Sequence, residues 1–426
     1  MYYFSTNDKN NQVNFKQAIL SGLANDNGLF LPSEFPQIDK NTLNELKKLN
    51  IKEIASLILK DYVAIPKNRF EEIIDKTFSF DAPIKIMDDN FSLLELYHGP
   101  TFAFKDFGAR FLANTTSYLL ENSDKEIVVV VATSGDTGSA VASAFHNLPN
   151  SRVFLLYPSQ KVSYIQEKQL TTFDNNITAL EIEGTFDDCQ KIVKSLLIDN
   201  NLIEKFHLTS ANSINIGRLL PQVVYYFRAF SQLNTDKKIV FSVPSGNFGN
   251  LTAGIIAQKM GLPVEYFIAS LNANDVFYKF LKTNQFEPKP SITTLANAMD
   301  VGNPSNFWRI WHIFEQNINL IRNNIHSYSF TDEQIIKGII DFYEKYSFLI
   351  EPHSSCAYSG AKLDNNQFHN IFLGTAHPAK FMDIIEKFTN YKVDIPIDLK
   401  NTLKKEKKSI KLPANFDAVK ETILSK

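Results

Sequence analysis

Apolar residues recur with helical spacing through the first part of the chain, from Phe15 to Leu23 and from Leu43 to Val63. Gly28 and the turn region Pro32 to Pro36 interrupt them. This pattern predicts a small, mainly helical N-terminal domain over residues 1–85. From about residue 90 the pattern changes to β-branched apolar runs alternating with helical stretches. Ile127 to Ala132 reads as a strand buried on both faces, followed by a helix ending at Phe145. Val153 to Tyr157, Ala179 to Ile182, Lys238 to Val243, Val264 to Ala269 and Ile371 to Leu373 read as further strands. Helices are expected at Ser163 to Phe173, Leu219 to Phe230 and Leu251 to Met260. Strand–helix alternation predicts an α/β fold of parallel sheets covered by helices, with ligands bound where strand carboxyl ends meet loops. Residues 86–426 are expected to form this larger region as two α/β subdomains with a site between them, and the lysine-rich 399–411 to be solvated.

The chain has 426 residues, is 44% hydrophobic and carries a net charge of -2 with both signs dispersed. That composition supports a large core and points to neither nucleic acid nor an anionic membrane as a partner. Cys189 and Cys356 are the only cysteines and lack metal-site spacing, so neither a disulfide framework nor a zinc site is expected. Met1 to Thr6 has neither a basic region nor an apolar run, and no segment approaches the ~20 apolar residues of a membrane span. A cytoplasmic location is the expectation.

Lys105 is the first candidate for chemistry, because Phe102, Ala103 and Phe104 precede it directly. Apolar neighbours disfavour the ammonium form and lower a lysine's pKa, as a Schiff-base lysine requires. A helix start with Lys105 snorkelling past two core phenylalanines fits the same pattern. Ser245 to Asn250 is a glycine-bearing strand-to-helix turn that can bring main-chain N–H groups to an anion at a helix N-terminus. Neither a Walker A nor a GxGxxG pattern is present there. Ser134 to Gly138 has the same topology, but Asp136 opposes a dianion, so that loop suits a substrate carboxylate. Helix capping explains Ser134 and Asp136 equally well. Arg218 offers a fork of donors for phosphate oxygens, although an isolated arginine is usually a solvated charge. Glu351 to Ser354 suits a wall of the pocket; His353 suits packing and catalysis equally, and His377 and Lys380 suit an active-site neighbourhood as well as solvation or helix capping.

His98-Gly99-Pro100-Thr101 followed by Ala103-Phe104-Lys105-Asp106-Phe107-Gly108 resembles the lysine motif of the threonine synthase family, pyridoxal-phosphate enzymes of the tryptophan-synthase-β-like group, fold type II. Phe15 to Ala18, Gly22 to Pro32 and Asn297 to Phe307 are similar to other segments of that family, though Asn27 and Gln160 stand where glycine is usual. The resemblance implies pyridoxal 5'-phosphate bound covalently at Lys105, its phosphate at Gly246, Asn247, Phe248, Gly249 and Asn250, and its pyridine nitrogen at Thr375. It further implies substrate contacts from Ser134, Gly135, Asp136 and Thr137, and from Asn212, Ser213 and Arg218 to the substrate's phosphate. Lys161 lies in another family-like segment. A threonine hydroxyl, unlike an aspartate, does not electrostatically favour a protonated ring nitrogen, so other contacts are expected to help. The implied reaction converts O-phospho-L-homoserine and water to L-threonine and phosphate. Another lyase on the same scaffold, such as threonine dehydratase or cysteine synthase, and a non-catalytic pyridoxal-phosphate or phospho-ligand-binding protein remain alternatives. Monomer and homodimer are both open.

Overall fold

The computed structural model describes residues 1–364 and 367–426. Two parallel-containing sheets dominate it. The larger runs Ile325–Ser329, Val264–Leu271, Ile239–Pro244, His369–Gly374, Phe91–Glu95, Ile84–Ile86; only the last pairing is antiparallel. The smaller is parallel throughout, in the order Ile410–Pro413, Ile177–Glu183, Ser151–Pro158, Ile127–Ala132, His207–Ser210. Val128 to Val131 are fully buried, as an uninterrupted β-branched run demands when helices cover both faces.

Parallel pairing puts the carboxyl ends of neighbouring strands on one edge. In the larger sheet, Thr375 and the loop from Ser245 therefore emerge side by side, because His369–Gly374 and Ile239–Pro244 are hydrogen-bonded neighbours. In the smaller sheet the same geometry brings the Thr133 loop next to Ala211–Asn212.

The N-terminal region differs from its sequence expectation in two ways. It contains a three-stranded antiparallel sheet of Gln12–Val13, Tyr3–Ser5 and Phe30–Pro32, strands too short to show an alternation. The expected helix from Leu43 to Val63 is instead split into Lys40–Glu45 and Ile51–Leu59. Asn50 causes the break: its side chain accepts from the Glu53 amide while Glu53 returns a bond, a capping box that starts a new helix. Pro221 likewise divides Ile216–Leu219 from Gln222–Gln232, since proline has no N–H to continue the ladder. One buried cluster extends from Tyr3 through Ile58 and Phe107 to Leu373, so the N-terminal region shares its core with the rest.

The lysines of the 399–411 tail are exposed, as expected, while its other contacts tie it to the rest of the chain. Leu399 is buried, Ile410–Pro413 adds an edge strand to Ile177–Glu183, and Lys407 lies 2.7 Å from both Glu167 and Glu181. Among the described residues no helix is long and apolar enough to cross a membrane, and no group of three His, Cys, Asp or Glu could hold a metal ion.

Candidate active site

A cavity of about 380 Å³ opens where the strand ends of the two sheets meet. Every residue that the resemblance assigns to cofactor or substrate lines it except Gly135. Gly135 sits just behind, at the start of helix Asp136–Phe145, with φ +134; a Cβ there would come within 2.5 Å of Gln166.

Lys105 is the first residue of helix Lys105–Leu119, and its side chain is only 14% exposed. Burial pushes its pKa down to about 8, opposed by Asp136 and reinforced by the charges of Lys380 and Arg218. The turn before it is held by Asp106, which accepts from the Thr101 amide at 2.9 Å and the Thr101 hydroxyl at 2.6 Å. Phe102 takes φ +58 in that turn, a conformation bulky residues rarely adopt, and such strain clusters at functional sites.

A second buried lysine lies close by. Lys380 is fully buried, 2.8 Å from Asp136 Oδ1, and donates to the Thr101 carbonyl at 2.9 Å. Gln166 donates to the same carboxylate oxygen at 3.1 Å, whereas Lys105 Nζ is 3.9 Å from Oδ2. Burial would raise the Asp136 pKa, but the Lys380 and Lys105 charges outweigh it and hold the group well below the usual carboxylate range. Lys380 is thus engaged by Asp136 and the Thr101 carbonyl, and Lys105 is the freer amine.

Helix Gly249–Lys259 begins at the glycine-bearing loop, so its first amides have no intrahelical acceptor. Phe248, at φ +58, turns the chain into it. The loop's side chains brace the loop itself: Asn250 accepts from Ser245 at 2.7 Å and donates to the Pro244 carbonyl at 2.8 Å. Asn247 donates to Ser213 Oγ at 2.5 Å and accepts from the Ser305 amide at 2.5 Å. A Cβ on Gly246 would lie 2.6 Å from the Met299 backbone, while one on Gly249 would meet nothing nearer than 3.7 Å. Gly249 therefore leaves open room beside the first amides of the helix. In the Ser134–Gly138 loop two amides, those of Gly135 and Gly138, are already bound by the Thr133 hydroxyl at 3.0 and 2.8 Å.

Arg218 is 3% exposed, donates through Nη1 to the Ala211 carbonyl, and has no hydrogen-bond partner for Nε. Burial lowers its pKa to about 10, so it stays charged at neutral pH, and among the described residues no carboxylate pairs with it. Gly108 of the lysine motif makes room for it, since a Cβ there would come 2.7 Å from the Arg218 carbonyl oxygen and 2.9 Å from Nε. Asn212 spends its side-chain amide on the Ala132 carbonyl at 2.9 Å.

The remaining sequence candidates fall outside this group or pack against it. Lys161 is exposed and does not line the cavity. His377 caps the turn that contains Lys380, accepting from the Ala379 amide at 3.1 Å, and burial lowers its pKa to about 4. Sequence reasoning missed Gln166 and Arg309. Fully buried Arg309 ties three regions together: it donates to Phe30 O at 2.9 Å, to Ile214 O at 2.7 Å and to Asn306 Oδ1 at 2.7 Å. The Asn297 to Phe307 segment thus fastens the two ligand loops, with Asn306 donating to Asn247 O at 2.8 Å. The only available signal was that Arg309 stands two residues past that segment.

Comparison with known proteins matches residues 2–78 to the family model for the threonine synthase N terminus, 88–370 to that for pyridoxal-phosphate dependent enzymes and 355–423 to that for the threonine synthase C-terminal region. Threonine synthase from Escherichia coli (strain K12) is 40% identical over 430 residues, covering 100% of both chains. The chain belongs to the threonine synthases. Two solved threonine synthase structures share its fold throughout. That from Escherichia coli superposes with a TM-score of 0.94, at 40% identity over 100% of each chain. The pyridoxal-phosphate-bound one from Brucella melitensis gives 0.93, at 32% identity over 99% of this chain and 98% of its own. The chain is accordingly a lyase with pyridoxal 5'-phosphate as its cofactor.

Proposed function

We propose the following division of labour for the threonine synthase reaction, O-phospho-L-homoserine and water giving L-threonine and phosphate. The observation that carries it is the pairing, in one cavity, of a desolvated lysine with a buried, charged arginine whose Nε has no partner.

The residues suit the cofactor. Lys105 is an amine of lowered pKa able to form the covalent link, the open room at Gly249 with its helix-terminal amides suits a phosphate, and Thr375 lines the wall between them. Bound there, pyridoxal phosphate supplies an electron sink for negative charge at the substrate's Cα. Lys105, with its amine free beside bound substrate, would remove the Cα proton; a pKa of about 8 suits that base near neutral pH. Arg218 and Ser213 hold the substrate's phosphate, and the guanidinium stabilises the charge that grows as phosphate leaves Cγ. Asn247 and Asn212 keep these loops in register. Ser134 and Thr137 are placed for the substrate's carboxylate, while Lys380 and Gln166 hold Asp136 beside Lys105. We assign 1–85 to an N-terminal domain and 86–426 to the cofactor-binding region, which the limits of the matched family models support. A cytoplasmic location belongs to the same reading, supported by two buried, unbridged cysteines.

Purified protein loaded with cofactor is expected to release phosphate and threonine in equal amounts from O-phospho-L-homoserine. Ammonia release from threonine, or sulfide-dependent cysteine formation, without phosphate release would overturn the reading.

The glycine-bearing loop gives a second test. Gly249→Ala is expected to fold normally, because its Cβ meets nothing closer than 3.7 Å, yet to bind the cofactor more weakly. Gly246→Ala, 2.6 Å from the Met299 backbone, is expected to lose thermal stability as well. Cofactor titration and thermal melts of both variants check this; unchanged cofactor affinity in Gly249→Ala would count against the loop's role.

A further inference from the structure

Asp136 is one buried carboxylate between two buried lysines, and its two oxygens are used unequally. Oδ1 takes Lys380 Nζ at 2.8 Å and Gln166 Nε2 at 3.1 Å, whereas Lys105 Nζ stands 3.9 Å from Oδ2, beyond hydrogen-bond reach. Lys380 is rooted in the short turn Pro378–Phe381, capped by His377, and none of its side chain is exposed. Its amine also donates to Thr101 O at 2.9 Å, in the turn that delivers Lys105. Both partners are acceptors, which suits an amine with its full set of protons. Lysine is almost never wholly buried without a partner. Lys380 does not line the cavity, so whatever it does for the reaction it does through groups that do.

We infer that Lys380 is a positioning residue: it serves as the resident counter-ion of Asp136 and so leaves Lys105 an amine without one. A desolvated charge is costly unless paired, and a lysine can relieve that cost by giving up its proton. Two lysines face one carboxylate. Coulomb attraction falls with distance, and a charge-assisted hydrogen bond forms only at contact. Lys380, at 2.8 Å, therefore keeps its proton, and Lys105, at 3.9 Å, is the lysine that gives it up. The lowered pKa of Lys105 agrees: burial is its main cause, Asp136 opposes, and the Lys380 charge acts in the same sense as burial. The other charged and titratable neighbours are Arg218 and Glu351 at Lys105, His353 at Asp136, and Asp106 and His377 at Lys380. Without Lys380, Asp136 would draw Lys105 back to an ammonium, a form that neither attacks an aldehyde nor takes a proton. The inference rests on Lys105 as the cofactor's anchor and the base.

Lysine labelled with 13C at Cε reads the protonation of the amine directly. In the wild-type holoenzyme the Lys380 resonance, assigned through its contacts with Thr101, is expected to keep its ammonium shift well above the pH of about 8 at which free Lys105 titrates. A Lys380 resonance that titrates at or below that pH overturns the inference, and no variant is needed to see it. In folded variants the readout is the midpoint, on the pH axis, of cofactor uptake by the apoenzyme. Lys380→Met is expected to move it upward by about one unit or more, the size an opposite charge within ~4–6 Å produces, and Lys380→Met/Asp136→Asn to bring it back down. An unmoved midpoint in Lys380→Met overturns the inference. So does a double variant with a midpoint as high as the single, since the effect would then not pass through Asp136. Loss of packing alone would slow uptake at every pH without moving the midpoint. Failure of the Lys105 assignment looks different: wild-type uptake would then show no midpoint at all.

Discussion

Lys105→Ala is expected to reduce turnover by at least ~10³-fold, because it removes both the covalent anchor and the base, and a positioned general base alone contributes about 10²–10⁴-fold. Lys380 is not expected to take over. Its Nζ is already engaged, 2.8 Å from Asp136 Oδ1 and donating to the Thr101 carbonyl at 2.9 Å. The wild-type amine should also show its depressed pKa directly. Cofactor uptake by the apoenzyme requires neutral Lys105, so the uptake rate should rise with pH through about 8 and level off above it. The sign follows from the chemistry: the protonated form, dominant below that pH, is unreactive. A Lys105→Ala variant retaining near-normal turnover, or an uptake rate flat across that pH, would remove the lysine from its assigned role.

Arg218→Ala is expected to keep its cofactor and lose its substrate. The guanidinium is charged, buried and short of a partner at Nε, while the glycine-bearing loop that suits the cofactor's phosphate starts from a different sheet. Truncating one side of a buried charged pair costs roughly 2 kcal/mol or more, about 30-fold in kcat/KM. Arg218→Lys keeps the charge but not the fork and should fall between. Cofactor titration and steady-state kinetics on the same folded proteins decide it. Loss of cofactor affinity with normal phosphate release after reconstitution would reverse the two phosphate assignments.

The larger architecture was legible because buried parallel strands announce themselves: Ile127 to Ala132 has no reason to be uninterrupted and β-branched unless both its faces are covered. The short N-terminal strands were not, since two or three residues carry no period. The departures at Asn27 and Gln160 proved informative. Both take left-handed backbone, φ +63 and +59, where glycine is the easiest occupant, so the backbone requirement persists although the residue has changed. Site residues were readable where they lie in short, chemically marked segments, as Lys105 and the Ser245 to Asn250 loop do. Gln166 and Arg309 were not, because their importance comes from partners far away in sequence, Asp136 and Phe30 respectively. No local pattern encodes a contact made only by tertiary packing.

The account turns on which of two buried lysines in one site carries the cofactor. Borohydride reduction of the holoenzyme followed by peptide mass mapping answers that directly. The prediction is a pyridoxyl adduct on the peptide containing Lys105 and none on Lys380; an adduct on Lys380, or on any other lysine with Lys105 unmodified, would contradict it.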